Sequence, residues 1–404
     1  MNIIEANPFT LCMSDTGISF ETADLIAQKK DILQDSSIRI RAGLTHVLRH
    51  NTLNGHTCLP EDKLVKTAAG FLSVDEEKAQ AVLNELLDEQ NLIKDVLRDR
   101  SFIFLPQYYE SEQYISARLK MMLRFPAPAF RDAKEQIEII ESRHNIKYAD
   151  KQKEAIESAL QKGLLVLTGG PGTGKTTTLN AIIDVLKSNG QKVLLAAPTG
   201  RAAQRMSELT GSEAKTIHRL LGATGEENGR KFTYNEDNPI GTDVIILDEV
   251  SMIDINLMYS FLKAVKPGTR LIMSGDADQL PSVGPGNVLN DLIKSGAIPV
   301  IKLDKIFRQA EKSLIVVNAH NINKGILPEL KDKENDFFFI PKNNTNDVLS
   351  TIVQLCKTRL PNTYGYSSIE DIQVLCPSKI GTVGTQSINQ SLQLALNPPA
   401  RNKQ

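Results

Sequence analysis

The sequence predicts an α/β protein built on a parallel sheet with helices on both faces. Between residues 164 and 303, short apolar strand-like runs alternate with helix-like stretches, an order typical of parallel sheets. A glycine-rich turn separates the first run from the first helix. The later runs end in clusters of polar residues, and in such sheets ligands bind beyond the carboxyl ends of the strands. The sequence therefore predicts a binding edge in this region.

The glycine-rich turn lies in the stretch LLVLTGGPGTGKTTT, residues 164–178. The phosphate-loop pattern G-x-x-x-x-G-K-[ST] is satisfied by Gly169, Gly174, Lys175 and Thr176. Glycines let backbone N–H groups curl around an anion, and the next helix directs its positive end at the same anion. An accidental match is disfavoured because an apolar strand precedes the turn and a helix pattern follows it. The predicted ATP contacts are Gly169, Gly170, Pro171, Gly172, Thr173, Gly174, Lys175, Thr176 and Thr177.

Further roles follow from residue type. We expect Lys175 to reach the β/γ-phosphates and the Thr176 hydroxyl to ligate Mg²⁺. Asp248 and Glu249 follow the apolar run TDVIIL (242–247). Asp248 can hold Mg²⁺ beside Thr176, and Glu249 can orient and polarise the attacking water. A solvated acidic turn is the alternative, disfavoured by the buried-strand pattern before it.

Three more residues are weaker candidates. Gln279 belongs to the polar cluster that follows the strand-like run 270–274. Its side chain can report the presence of a γ-phosphate by hydrogen bonding. Arg308, after the run 300–303, has a planar fork suited to transition-state phosphate oxygens, although a surface charge is the commoner role. Gln152 can pair with the adenine edge through its amide, although a surface glutamine is the commoner case.

The N-terminal part of the chain is predicted to be mainly helical. We expect a helical hairpin over 7–34, a helix over 37–52, a helix over 61–70 closed by Gly70, and a helix opened by a Ser73–Glu76 capping box. Two strand-like runs around a charged turn follow between residues 92 and 105. Helices followed by a hairpin resemble a winged-helix module. Because its third helix lacks a basic stripe, we favour protein contacts over DNA contacts for this module.

Composition narrows the function classes. The chain of 404 residues allows two or three domains. Its Lys+Arg count of 47 against an Asp+Glu count of 48 gives a net charge of -1, so any nucleic-acid surface must be local. No apolar run approaches the ~18–20 residues that span a bilayer. The four cysteines never form C-x-x-C, which favours reduced thiols in a cytoplasmic protein over a zinc site.

Several segments together resemble a known family. PTGRAAQRM, AKTIHRLLG, ILDEVSM, SGDADQLPSVGPGNVLND and LDKIFRQ look like successive motifs of RecD-type superfamily 1B DNA helicases. NPFTL, GHTCLP and IQVLCPSKIGTVGTQSINQSLQ are similar to the RecD-like subgroup that acts outside the RecBCD complex. The resemblance covers essentially the whole chain. It implies an ATP-driven motor moving 5′→3′ on single-stranded DNA in repair or recombination.

The resemblance also assigns residues by position. It places Lys175, Thr176, Asp248, Glu249, Gln279 and Arg308 at ATP, with Gln152 at the adenine. It implies a DNA track lined by Pro198, Thr199, Arg201, Thr216 and His218. Short polar groups and backbone at strand ends grip phosphates without reading sequence, as a motor requires. For His218, a buried hydrogen-bonded histidine remains the alternative.

The resemblance predicts an N-terminal helical and winged-helix-like domain (1–123), a linker and helix (124–145), a RecA-like ATPase lobe (146–330) and a partial second lobe (331–404). In the last we expect strands at 337–340 and 372–376 and helices near 348–360 and 386–396. Family members continue beyond this point with further motifs, so we expect a fragment that binds Mg·ATP but hydrolyses it slowly. The alternatives are an ATP- and DNA-binding module without unwinding activity, or another P-loop ATPase. We expect a monomer, with a protein partner at the N-terminal domain.

Overall fold

The computed structural model describes residues 2–13, 17–224, 231–307, 311–331 and 335–398. These residues belong to two units, one of residues 1–312 with 319–326 and one of residues 313–318 with 327–404. The first unit contains an N-terminal module, a linker region and the predicted parallel sheet. In the described part of the chain, no helix is both long and apolar enough to cross a bilayer.

The N-terminal module combines helices with a three-stranded antiparallel sheet of order β1-β3-β2. Its elements are α1 (Asn2–Ala6), α2 (Thr10–Met13), α3 (Phe20–Gln28), α4 (Ser37–Thr52), β1 (Cys58–Pro60), α5 (Glu61–Leu72), α6 (Glu76–Asp88), β2 (Ile93–Leu97) and β3 (Arg100–Phe104). The helix predicted over 37–52 is confirmed as α4. The two strand-like runs predicted between residues 92 and 105 are confirmed as the antiparallel pair β2 and β3. Strand β1, which sequence periodicity did not indicate, pairs with β3 through Leu59 and Ile103.

Two predicted helix boundaries in this module are wrong. Gly70 does not end α5, because the helix continues to Leu72, whose side chain is 1% exposed. Burying a leucine contributes about 1.5–3 kcal/mol, more than the ~1 kcal/mol that glycine costs inside a helix. Ser73 does not open α6 as a capping-box residue, since its positive φ of 57° makes it the residue that ends α5. The N-cap of α6 is Asp75.

The linker region lies against the sheet and is held there by a buried arginine. It follows α7 (Pro106–Arg124), contains α8 (Ala133–His144) and leads into α9 (Asp150–Gln161). Arg270, which is 2% exposed, donates to the carbonyls of Ala159 at 2.7 Å and Pro128 at 2.6 Å. Its guanidinium also lies 5.1 Å from the ring centroid of Phe130. Burial lowers the pKa of Arg270 to about 10, so the group stays charged at neutral pH and keeps the linker attached to the start of its strand.

The predicted parallel sheet is confirmed, with six strands in the order β11-β4-β10-β9-β5-β6. Its strands are β4 (Leu164–Gly169), β5 (Val193–Ala197), β6 (Ala214–Thr216), β9 (Val244–Leu247), β10 (Arg270–Gly275) and β11 (Val300–Leu303). The accompanying elements are α10 (Lys175–Ser188), α11 (Gly200–Thr210), α12 (Ile217–Leu220), the β7 (Ala223–Thr224) and β8 (Lys231–Phe232) pair, a 3-10 turn (Val250–Met252), α13 (Ile255–Ala264), α14 (Val288–Ser295) and α15 (Leu314–Asn323). Strands β4, β9 and β10 are buried along their whole length.

The second unit is helical in the part of it that the structure describes. It contains α16 (Thr345–Gln354), a π-helical turn (Leu355–Arg359), α17 (Leu360–Tyr364) and α18 (Thr385–Leu396). The helices predicted near 348–360 and 386–396 are confirmed. The strands predicted at 337–340 and 372–376 are wrong, because neither segment has a partner in any sheet. An apolar run becomes a strand only when a neighbouring strand supplies the ladder of hydrogen bonds.

Candidate nucleotide site

The phosphate loop connects the end of β4 to the first residue of α10. Gly172 and Gly174 have φ values of 75° and 81°, which residues with a Cβ rarely adopt. The hydroxyl of Thr173 donates to the carbonyl of Gly170 at 2.8 Å and closes the turn. Lys175 Nζ donates to the carbonyl of Gly169. The loop therefore presents its backbone N–H groups and the lysine on the side of the helix N-terminus, as phosphate binding requires.

The loop forms one wall of an open cavity of about 740 Å³ at the carboxyl ends of β4, β9 and β10. The predicted loop residues that line it are Gly170, Pro171, Gly172, Thr173, Gly174, Lys175, Thr176 and Thr177. The strand-end residues that line it are Asp248, Glu249, Asp276, Asp278 and Gln279. Lys175 and Asp248, which come from loops after different strands, therefore share one cavity. Its mixture of cation, carboxylates and backbone donors suits a phosphate with a divalent cation.

Gly169 and Gln152 support the loop from behind rather than lining the cavity. A Cβ at Gly169 would lie 2.7 Å from the carbonyl oxygen of Leu303, so a larger residue would separate β4 from β11. Gln152 is 4% exposed, which excludes the surface-residue alternative. Its amide accepts from the N–H of Ala149 at 3.0 Å and donates to the carbonyl of Gly174 at 3.4 Å. Adenine recognition by Gln152 stays a prediction.

Glu249 has the environment of a proton acceptor. Burial raises its pKa above the ordinary value, with a further increase from the adjacent Asp248, while Lys175 and Arg205 act in the opposite direction. Its backbone adopts a positive φ of 54°, which is sparsely populated by residues other than glycine. A carboxylate with a raised pKa takes a proton from water more readily. Glu249 lines the cavity that it shares with Asp248.

Gln279 lines the same cavity, and its side chain contacts Ser251. Its Oε1 accepts from the hydroxyl of Ser251 at 3.1 Å, and Ser251 belongs to the turn that follows Glu249. The amide N–H₂ of Gln279 can donate to an oxygen in the cavity. The Ser251 contact therefore connects the candidate γ-phosphate sensor to the segment that holds the candidate water-orienting carboxylate.

The donor set fits a bound Mg²⁺ ion. The Thr176 hydroxyl and the Asp248 carboxylate line the same cavity. Mg²⁺ prefers one or two protein oxygens together with waters and substrate phosphates to a cage built from the protein alone. Among the described residues there is no group of three or more His, Cys, Asp or Glu side chains that could hold a metal. Thr176 and Asp248 would hold the ion, which would neutralise phosphate charge.

Sequence reasoning missed two parts of the cavity wall. Arg205 on α11 lines the cavity and acts on Glu249 electrostatically. It belongs to the same motif as Arg201, one helical turn further on, and this spacing was the available signal. The second part is α15, which contributes Ala319, Ile322 and Asn323; no motif marks them. The candidate Arg308 lies outside the described residues.

The candidate DNA residues follow the neighbouring strands β5 and β6, on one side of the sheet. Thr199 follows β5 through Pro198 and caps α11, its hydroxyl accepting from the N–H of Ala202 at 3.2 Å. Thr216 ends β6 and caps α12, its hydroxyl accepting from the N–H of Arg219 at 3.2 Å. Each hydroxyl keeps its hydrogen available for a phosphate oxygen.

The remaining two DNA candidates differ in burial. Arg201 is exposed on α11, and His218 is half-buried with its ring centroid 6.2 Å from that of Phe232. His218 is therefore not fully buried, and a hydrogen-bonded structural histidine stays the alternative to a DNA contact. DNA contact by Pro198, Thr199, Arg201, Thr216 and His218 stays a prediction.

The sheet and the loop define a phosphate-loop nucleotide-binding domain of the RecA-like type. Residues 152–285 match a family model described as an AAA domain, and residues 1–58 match the "ATP-dependent RecD2 DNA helicase HHH domain". The chain is 32% identical over 406 residues to the ATP-dependent RecD2 DNA helicase of Deinococcus radiodurans, covering 98% of this chain and 54% of that protein. It belongs to the RecD-like family of superfamily 1 helicases.

More distant relatives show the same pattern of partial coverage. The chain is 30% identical over 334 residues to the RecBCD enzyme subunit RecD of Mycobacterium tuberculosis, covering 74% of this chain and 56% of that protein. It thus spans about half the length of these curated relatives. The crystal structure of Pif1 helicase from Candida albicans matches 52% of this chain and 55% of that chain, with 23% identity and a TM-score of 0.36. That structural likeness is too distant to support an argument.

Proposed function

We propose that this chain is the ATP-binding part of a DNA helicase that moves 5′→3′ on single-stranded DNA during repair or recombination, driven by Mg·ATP hydrolysis. The observation that carries the proposal is the shared cavity of Lys175, Asp248, Glu249 and Gln279. The names of the RecD and RecD2 relatives support the helicase assignment. The direction of movement rests on the family resemblance alone.

The residues of the cavity support a division of labour in hydrolysis. Lys175 neutralises phosphate charge, and Thr176 and Asp248 would hold Mg²⁺. Glu249 orients a water and accepts its proton as the water oxygen bonds to the γ-phosphorus. The bond from phosphorus to the bridging oxygen breaks, and ADP leaves with that electron pair. Gln279 can then respond to the loss of its γ-phosphate contact.

A second candidate function is binding of ATP and DNA without unwinding. The described residues of the second unit form helices but no strand, so they supply no second RecA-like sheet. A motor of this family closes ATP between two such lobes, and an arginine added from outside the first site contributes ~10³–10⁵ in rate. The lack of a strand among the described residues of the second unit therefore favours slow hydrolysis by this chain.

The two candidates are separated by measuring ATP hydrolysis with and without single-stranded DNA, using the chain and its Lys175→Ala variant. We expect slow turnover in the chain and none above background in the variant. Strong stimulation by DNA, with displacement of a duplex bearing a 5′ tail but not one bearing a 3′ tail, would support a complete motor. Equal turnover in both proteins would contradict the nucleotide site itself.

A further inference from the structure

The loop that carries Gln279 is attached at its far end to the N-terminal module. The backbone N–H of Gly286 donates to the carbonyl of Gly55 at 3.0 Å. Gly55 lies in the turn after α4 and has a φ of 86°, and this turn belongs to the N-terminal module rather than to the nucleotide domain. A direct backbone contact thus connects that module to the segment 279–286, which begins at the candidate γ-phosphate sensor.

The second half of this segment, residues 282–286, packs against the residues that follow the 3-10 turn. The hydroxyl of Ser282, a residue 9% exposed, lies 3.1 Å from the carbonyl oxygen of Gly284 and 3.0 Å from that of Gly286. The carbonyl of Pro285 accepts from the N–H of Ile255 at 2.9 Å. A Cβ at Gly284 would lie 2.0 Å from a carboxylate oxygen of Asp254. Asp254 and Ile255 follow the turn that contains Ser251, and Ser251 bonds Gln279, so a shift at Gly286 is passed towards Gln279 through this packed turn.

The N-terminal side of this contact is held by a second hydrogen bond. The hydroxyl of Thr57, two residues after Gly55, donates to Glu112 Oε1 on α7 at 2.6 Å. Burial raises the pKa of Glu112, and the Thr57 hydrogen bond opposes that increase. A Cβ at Gly286 would lie 3.6 Å from the Thr57 methyl carbon, so Thr57 also packs against the loop backbone. The Thr57–Glu112 bond therefore sets where the turn meets Gly286.

We propose that the turn 54–57, fixed by the Thr57–Glu112 hydrogen bond, positions Gln279 and thereby sets how strongly the chain distinguishes ATP from ADP. Thr57 and Glu112 are positioning residues, because neither lines the nucleotide cavity. By the same linkage, a nucleoside triphosphate changes the N-terminal module and a diphosphate changes it less, since coupling between two sites is reciprocal. The inference rests on the proposed nucleotide site and extends it to a second module.

The test compares Thr57→Val with Thr45→Val in the full chain. Both substitutions remove a hydroxyl from the N-terminal module, but Thr45 bonds within its own helix, to the carbonyl of Arg41. Calorimetric titration with Mg²⁺ measures the affinities for a non-hydrolysable ATP analogue and for ADP. We expect Thr57→Val to lower the ratio of ATP-analogue affinity to ADP affinity about three- to tenfold, the effect of one hydrogen bond. ADP affinity and the Thr45→Val ratio should not change.

Backbone hydrogen exchange in the unmodified chain provides a second readout. The ATP analogue should slow exchange at residues 53–57 more than ADP does. An unchanged affinity ratio in folded Thr57→Val, an equal loss for both nucleotides, or equal exchange with both nucleotides would overturn the coupling while leaving the nucleotide site intact. If the unmodified chain bound neither nucleotide, the proposed function and the coupling would both be wrong.

Discussion

One edge of the parallel sheet carries two chemically different regions. The strands β4, β9 and β10 end at a cleft that Asp248, Glu249 and Asp276 line together with Lys175. On one side of the sheet, β5 is followed by Thr199 and β6 ends at Thr216, and these residues cap α11 and α12. Position across the sheet therefore separates a site that concentrates charge from one that offers hydroxyls and helix N-termini.

This difference would allow one sheet to bind the proposed nucleotide and the proposed DNA strand at separate places. A small, highly charged ligand needs enclosure, since low solvent access strengthens each electrostatic contact. A sliding phosphate backbone needs exposed, replaceable contacts that do not read bases. Helix α11 lies between the two regions, with Arg205 in the cavity and Arg201 outside it. The following predictions test whether this division is real.

The largest expected effect is on turnover. Glu249→Gln removes the candidate proton acceptor and should lower the hydrolysis rate about 10²–10⁴-fold, while Mg·ATP still binds. Steady-state hydrolysis and calorimetric titration measure the two properties separately. Glu208→Gln, which changes an exposed carboxylate on α11, is the control and should retain normal turnover. Comparable turnover in Glu249→Gln and the unmodified chain would remove Glu249 from the mechanism.

Two arginine substitutions on α11 should each impair a different property, ATP hydrolysis in one variant and DNA binding in the other. Arg205→Ala removes a cation from the cavity and should lower the hydrolysis rate about 10–100-fold, with little change in affinity for single-stranded DNA. Arg201→Ala should weaken DNA binding and reduce the slope of log affinity against log salt by about 1, with nucleotide affinity unchanged. Hydrolysis assays and DNA titrations at several salt concentrations measure these outcomes. If both variants lost the same property, the two regions would not be separate.

A glycine pair tests the geometry of the loop. Gly174 and Gly190 have similar φ values of 81° and 74°, but only a Cβ at Gly174 meets neighbours, lying 2.5 Å from Gln152 Nε2 and 3.0 Å from a ring carbon of Phe307. Alanine at either position should cost about 1–2 kcal/mol of unfolding free energy through backbone strain. Only Gly174→Ala should also weaken nucleotide binding. Urea unfolding and nucleotide titration distinguish the two costs; equal nucleotide affinities would contradict the proposed loop support by Gln152.

The smallest expected effect is on stability as pH changes. Folding raises the pKa of Glu249 above its ordinary value of 4.5. The Glu249 carboxyl therefore ionises at lower pH in the unfolded chain than in the folded chain. Between those two pKa values, the free energy of unfolding falls as pH rises. Glu249→Gln removes that loss, so the variant should be more stable than the unmodified chain at pH 7–8. The difference should shrink as pH falls towards 4.5. Urea unfolding across this range would contradict the expectation if the difference grew on acidification.

The sequence predicted the inner part of the sheet well because each strand there is a continuous apolar run that ends in a recognisable polar motif. The edge strand Val300–Leu303 was also predicted to the residue. The segments 337–340 and 372–376 are also apolar, but strand formation depends on a partner that a local pattern does not reveal. Ser73 matched a capping-box spacing, yet its positive φ is set by the end of α5.

Individual site residues divide along the same line. Lys175 and Asp248 were predictable, because their motifs specify both residue type and position after a strand. The cavity wall from Ile322 and Asn323 was not, since it comes from a helix that reaches the loop only through the tertiary fold. The burial of Gln152 likewise follows from packing behind the loop rather than from its neighbours in sequence.

Residues 164–178 are proposed to wrap a triphosphate, and the residues that follow β9 and β10 are proposed to contact the same triphosphate. The most direct measurement is calorimetric titration of Mg·ATP into the chain, Lys175→Ala and Lys187→Ala. Lys187 lies on the same helix but outside the cavity, where it donates to the hydroxyl of Ser212. We predict binding to the chain and to Lys187→Ala, with at least about tenfold weaker binding to Lys175→Ala. Equal affinity in all three proteins would contradict the account.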